Sequence, residues 1–422
     1  MDVDNKINVT GVLVWLNCAL FFMYEFVLRT VIGTFQTSIT HDLHLAPFSF
    51  SLLSTTGYSL IYALMQIPVG IITARIGLKK ALFTAVIICT ISTAGFAMSY
   101  QFSMAMLCRI IMGFGSSFGF ICLLIAVYDW MPRRSIAFYI GVSQFIGTMG
   151  PMLAAGPLNS LSQTTVIGWR AIFFCLTAIG LTIAILTLLF VKENRLSRKK
   201  FIILTKPDAI IRSMLSIIHQ KQIWFIALFS ACVYFSIEYL SENVGVEFLI
   251  KKGFSSTFSS YMITLTWLGY ALGCPLFGFI SDKIQRRKPL MLASAPIALF
   301  CLSGIIYFPL GQLATASCFL LLGLGASGQS IGFAVIAEQC KKEHLGASLG
   351  FNNAMIALLT ATGAPLIGSL LPYSTHMQDY QKALFILITL TIIATLLSAF
   401  SIKETFCKPM KNNTILSFEP VT

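Results

Sequence analysis

The stretch GIITARIGLKK at residues 70–80 recurs as GFISDKIQRRK at residues 278–288, an offset near 209 in a chain of 422 residues. In both copies a glycine sits near the end of an apolar run and a basic cluster follows. Two further markers repeat at that spacing. Gly113 and Gly115 in RIIMGFGSSFG correspond to Gly323 and Gly325 in FLLLGLGASGQ, and Asp129 before MPRR corresponds to Glu338 before QCKKEH. Three markers at one offset identify two copies of one unit, and a repeat decides the architecture before any local reading does.

Each copy holds six apolar stretches. They run over 11–37, 48–73, 81–99, 102–127, 137–160 and 170–191, then 222–249, 258–280, 289–308, 311–337, 347–371 and 381–402. A bilayer-crossing helix needs about 20 mainly apolar residues, whereas barrel strands alternate over about ten. The composition agrees. Apolar residues make up 56% and charged residues 11%, where a soluble domain carries about 25% charge; mean hydropathy is +0.82. The expected fold is an all-α membrane protein of twelve transmembrane helices in two pseudo-symmetric six-helix bundles. Residues 1–191 form the first bundle and 222–422 the second with a short tail. Residues 192–221 are a basic linker on the inner leaflet.

Charge sets the orientation. With both termini cytoplasmic, 23 Lys and Arg lie on the cytoplasmic side, four (Arg170, Lys251, Lys252, Lys382) lie opposite, and Arg29 and Arg109 lie inside spans. That asymmetry is the orientation rule of membrane proteins. It also removes nucleic acid as the meaning of the net charge of +13. The 11 cysteines, mostly inside apolar runs and without a CxxC pair, imply no disulfide framework. The five histidines are scattered over loops without metal-ligand spacing, so neither metal nor cofactor is expected. No Ser–His or Cys–His arrangement, HExxH or P-loop appears, which argues against an enzyme or an ATP-driven pump. The polar first ten residues and the absence of an A-x-A site suggest a retained first span.

Parallel six-span repeats place a substrate site between the halves, near the midplane. Charge inside a membrane is costly, so it faces the interior and pairs. Glu25 and Arg29 are four residues apart and share one face of the first span, and Glu238 and Glu242 repeat that spacing on the seventh. At the repeat offset Arg29 matches Glu238. Three carboxylates against two guanidinium groups, counting Arg109, leave one acid in excess. Burial disfavours the charged form of such an acid, so Glu25, Glu238 and Glu242 are the expected proton-coupling residues. Arg29 carries planar paired donors suited to a carboxylate or phosphate. With it, Tyr58, Tyr62 and Trp267 are expected cavity walls, and Gln329 and Asn352 (beside Asn353) are polar lining on the tenth and eleventh spans.

These motifs resemble those of the major facilitator superfamily along essentially the whole chain. The loop after the second span follows the family's G-x-x-x-D-R/K-x-G-R/K-R/K pattern through Gly70, Arg75, Gly77, Lys79 and Lys80, departing at Ala74. The fourth span carries R-x-x-x-G-x-G-x-x-x-G as Arg109, Gly113, Gly115 and Gly119, and the resemblance implies a role in proton coupling or helix packing for Arg109. The first span with its arginine, and IYALMQIPVG after it, are similar to uptake-type members. The fifth-span run FIGTMGPMLAAGP keeps Gly150 and Pro151 of the drug-antiporter motif but has Ala154 and Ala155 for its glycine pair. The resemblance implies a monomeric secondary transporter of the bacterial inner membrane working by alternating access. The leading expectation is proton-coupled import of a small anionic or zwitterionic solute (amino acid, short peptide or organic acid). The alternative is proton-antiport export of an amphipathic compound or siderophore. It further implies an inner gate built from Arg75, Asp129, Asp282, Arg286 and Glu338. With Ala74 in place of the family's aspartate, that gate should depend more on the second half.

Overall fold

A computed structural model describes residues 8–66, 68–132, 136–165, 168–193, 219–340, 345–371 and 376–408. Most of the expected linker, and Lys341 and Lys342 beside Glu338, lie outside the described residues. Among the described residues regular structure is helical throughout. A helix satisfies its backbone hydrogen bonds internally, which a lipid environment demands.

Nine helical segments among the described residues are long and apolar enough to cross a membrane. They are Val9–Thr34, Leu78–Ala97, Phe102–Trp130, Trp169–Phe190, Lys221–Glu242, Ser256–Ile284, Lys288–Tyr307, Gln312–Gln339 and Met377–Ser401, on the expected first, third, fourth, sixth to tenth and twelfth spans. The expected fifth span is helical over Ile136–Ala154 and Gly156–Thr165, and the eleventh over Leu345–Ser369. The second is broken: Pro47–Ser51, a π-turn at Leu52–Thr56, Gly57–Met65 and Pro68–Ile76. Its inner break has a visible cause, since Pro68 lacks an N–H and restricts the residue before it.

Lipid-facing and interior helices separate by burial. The most apolar stretches of the sixth and twelfth spans are 39% buried, against 83% for the seventh. Ile91, Leu189, Phe279, Phe300, Leu313 and Phe400 stand exposed, as lipid contact requires. Each half has its own core. The glycine motifs are close crossings within a half. A Cβ on Gly113 would lie within 3.0 Å of the Tyr58 backbone, and one on Gly323 would meet the Thr266 carbonyl.

The halves pack mainly through three helix pairs: first with seventh, second with eleventh, fifth with eighth. Each crossing has a glycine on its outer side. A Cβ on Gly33 would collide with the Ser241 carbonyl; on Gly156 it would lie 2.7 Å from Tyr261, and on Gly368 2.6 Å from the Ser51 hydroxyl. The bonds joining the halves gather on that side too. Gln36 donates to Glu247 (2.9 Å), Ser54 to Asn243 (2.7 Å), Thr56 to the Ala361 carbonyl (2.7 Å) and Thr264 to the Met152 carbonyl (2.9 Å). Asn353 donating to Gln66 (2.9 Å) lies deepest of these toward the cytoplasm. With both termini cytoplasmic, as the charge asymmetry implies, this closed side is the outer one.

Candidate functional site

Close packing of the first and seventh spans at Gly33 brings their charges together. The Arg29 guanidinium pairs with Glu238 through Nη2 and with Glu242 through Nε at 2.7 Å. One helical turn away on the same face, Glu25 accepts from the Tyr58 hydroxyl at 2.9 Å. Thr360 of the eleventh span donates to the second oxygen of Glu238. Oε2 of Glu242 makes no hydrogen bond among the described residues. Glu25, Glu238 and Glu242 are each 2% exposed or less. One arginine thus bridges the halves and holds two carboxylates.

Arg109, grouped with these from its position in a span, is placed differently. Its three donor nitrogens reach backbone carbonyls: Leu28 (2.8 Å) on the first span, and Leu53 (3.2 Å) and Ser54 (2.5 Å) on the second. Its guanidinium also lies 4.8 Å from the Tyr58 ring centroid.

The expected wall residues are brought together, but against one another. Tyr58 and Tyr62 stack at 6.2 Å between centroids. Trp267 donates to Ser241 at 2.8 Å and meets Phe26 edge-on across the halves. Gln329 accepts from the Tyr270 hydroxyl at 2.8 Å. Asn352 is buried with both amide atoms unpartnered among the described residues, while its neighbour Asn353 makes the bond to Gln66. With the outer side shut, these groups form a buried polar layer at the junction of the halves.

Among the described residues at the inner ends, Arg287 and not its neighbour Arg286 makes the ion pairs. It contacts Asp282 at 2.6 Å and Glu338 at 2.8 Å. Gln285 adopts a left-handed conformation (φ 53°) that turns the chain there, while the Arg286 guanidinium lies 5.8 Å from the Phe406 ring centroid. Arg75 and Asp129 lie on the inner ends of the second and fourth spans.

Two acids absent from the sequence-derived set stand beside these groups. Glu404 accepts from the backbone N–H of Arg287 (2.9 Å), Lys288 (3.1 Å), Thr405 (3.0 Å) and Phe406 (3.1 Å), capping the ninth span. Glu193 accepts from Lys79 N–H at 2.8 Å and caps the third. Burial alone would raise the Glu404 carboxyl, but the four N–H groups outweigh it and hold it below its ordinary value. Repetition of Lys-Glu-Asn at 192–194 as Lys-Glu-Thr at 403–405 is the signal that could have found both.

Comparison with known proteins agrees with this architecture. The model of the Major Facilitator Superfamily matches residues 17–327 and 237–413. The hexuronate transporter of Bacillus subtilis is 24% identical over 361 residues, covering 81% of this chain and 83% of the relative. The sialic acid transporter NanX of Escherichia coli is 24% identical over 342 residues, covering 79% and 80%. Among solved structures, a D-xylose–proton symporter superposes with a TM-score of 0.75 at 17% identity, covering 94% of this chain and 99% of that one. A bacterial homologue of the lysosomal transporter Spinster, inward-facing and unoccupied, gives 0.73 at 17% identity, covering 93% and 97%. These proteins are transporters rather than enzymes, and with its apolar helices and bacterial relatives the chain is a multi-pass inner-membrane protein. Repeat, helix order, motifs and family match coincide: the chain belongs to the major facilitator superfamily and is a membrane transporter of small molecules.

Proposed function

We propose that this protein imports a small carboxylate-bearing solute of the sugar-acid type together with a proton, by alternating access and as a monomer. The observation that carries the reading is Arg29, a buried cation at the junction of the halves, held by two carboxylates of the opposite half. A guanidinium takes a carboxylate through two parallel bonds. The groups holding Arg29 here are themselves carboxylates, one on each of two donor nitrogens, which supports a solute carboxylate as their competitor. Relatives described as transporters of hexuronate, sialic acid and L-galactonate, all carboxylated sugars, support that substrate class over amino acids or peptides.

The outer side is the closed one in this state. Re-opening outward parts the first and seventh spans and separates Arg29 from Glu238 and Glu242. An uncompensated charge inside the membrane costs several kcal/mol, so the acid in excess of base is the place for a coupled proton. Glu238 and Glu242 would take it when Arg29 leaves, and Glu25, one turn from Arg29, can then serve as its partner. At the inner side, the Asp282–Arg287–Glu338 group belongs to the gate that closes in the outward-facing state.

Proteoliposomes with an imposed inward proton gradient test the reading. Labelled glucuronate or galacturonate should accumulate above its external level and collapse with a protonophore, while xylose should neither accumulate nor compete. Accumulation of the neutral sugar, or efflux driven by the same gradient, would replace this reading with sugar symport or antiport export.

A further inference from the structure

The second span carries a π-turn at Leu52–Thr56 that no proline or glycine within it explains. A π-turn widens the helix, loosens its carbonyls from the regular ladder and is frequent at functional positions. Backbone carbonyls freed in a membrane interior need partners. Arg109 supplies them, with Nε on the Leu53 carbonyl and Nη2 on the Ser54 carbonyl. Gly113, one turn along, lets the fourth span lie against the Tyr58 backbone, which brings Arg109 within reach. Leu28 of the first span takes the remaining nitrogen.

The same turn projects two hydroxyls across the molecule. Ser54 bonds Asn243, where the seventh span breaks directly after Glu242, and Thr56 bonds the Ala361 carbonyl of the eleventh. Ser54 is bound at both ends, its carbonyl by Arg109 and its hydroxyl by Asn243 of the other half, so the turn that Arg109 holds is the turn that crosses to the seventh and eleventh spans. Arg109 therefore lies behind a wide turn whose two hydroxyls tie the outer side to two helices of the other half.

We propose that Arg109 is a positioning residue. It holds the second-span π-turn in the shape that lets Ser54 and Thr56 reach the opposite half, so that outer closure depends on it without its touching the solute. This rests on the transport fold and not on the choice of substrate. A lysine keeps the charge but presents a single point donor where a planar fork serves three carbonyls on two helices.

The test reads the outer gate directly in ligand-free full-length protein. Spin-labelled amino acids at Phe48 and Ile250, both exposed and on the outer ends of opposite halves, report the gate by pulsed electron resonance. Ser54→Ala should raise the long-distance population about fivefold, the worth of one hydrogen bond. Arg109→Lys should raise it at least as much. Because Arg109 acts through the turn, the double variant should go no further than Arg109→Lys alone. An unchanged population in Arg109→Lys, or a double variant showing the product of the two single effects, would overturn the proposal. Should Arg109→Lys fail to fold, Thr56→Val carries the test alongside Ser54→Ala. It removes one cross-half donor at constant shape, and both must lengthen the distance; an unchanged distance in either overturns it.

Discussion

Adding one methyl group at Gly33 should open the outer side. A Cβ there would collide with the Ser241 carbonyl and lie 2.8 Å from two backbone atoms of Glu242. Non-bonded carbons settle at about 3.5–4.0 Å, so the crossing must widen by about 1 Å. All three atoms are backbone, and no rotamer change relieves the contact. Widening by that amount would also stretch the 2.7 Å Arg29–Glu242 bond beyond the range where such bonds hold, about 3.2 Å. Overpacking of this kind costs about 1–3 kcal/mol. Only the outer-closed state bears that cost, so the closed-to-open ratio should fall about 5- to 150-fold. Distance distributions between spin labels at Phe48 and Ile250 read the ratio. Gly304→Ala is the control: its Cβ would meet Cys318 and Leu310 at 3.6 Å within one half, and the distribution should not move. A Gly33→Ala distribution equal to wild type would refute the claim that the outer gate is set by backbone contact at this crossing.

Further outcomes follow from the charged groups. Glu238→Gln and Glu242→Gln should abolish gradient-driven accumulation of glucuronate while leaving counterflow exchange, which needs no net proton movement; full accumulation in both would remove the seventh span from coupling. Asp282→Asn removes one of two acids on Arg287 and should shift the population inward by about 1–2 kcal/mol, from the worth of a charged hydrogen bond. Distances between labels on the cytoplasmic ends of the two halves check it, and Ala74→Asp should move them the opposite way. Glu404 is held below its ordinary value by backbone N–H groups. Its contribution to stability is therefore present above the unfolded carboxyl value of about 4.3 and is lost as pH falls through the lower folded value. Thermal unfolding in detergent should show wild type losing more stability on acidification below about pH 4 than Glu404→Gln does; equal slopes would contradict the capping role.

The spans and the repeat were legible because a membrane leaves the chain few choices. Each crossing needs its own apolar length, and a duplicated unit keeps its glycines where helices touch. The pairing of Arg29 with Glu238 was foreshadowed by the repeat offset, since matching positions on the first and seventh spans face the same axis. Other features depend on rotation about a helix, which composition does not carry. Asn352 and Asn353 differ by one position, yet among the described residues one is buried unpartnered and the other crosses to Gln66. Arg286 and Arg287 are alike until the left-handed Gln285 directs the second toward Asp282. Ser54, Asn243 and Thr360 are uncharged and carry no signal in an apolar run. The π-turn in LLSTT has none either, because its shape depends on an arginine more than fifty residues away.

Calorimetry of glucuronate binding to the purified full-length protein, wild type against Arg29→Lys, tests the anion site most directly. If Arg29 holds the solute carboxylate through two donors, the lysine variant should bind at least about tenfold more weakly. Xylose should give no heat with either protein. Equal affinity for glucuronate in the two would contradict the reading and leave Arg29 only as the tie between Glu238 and Glu242.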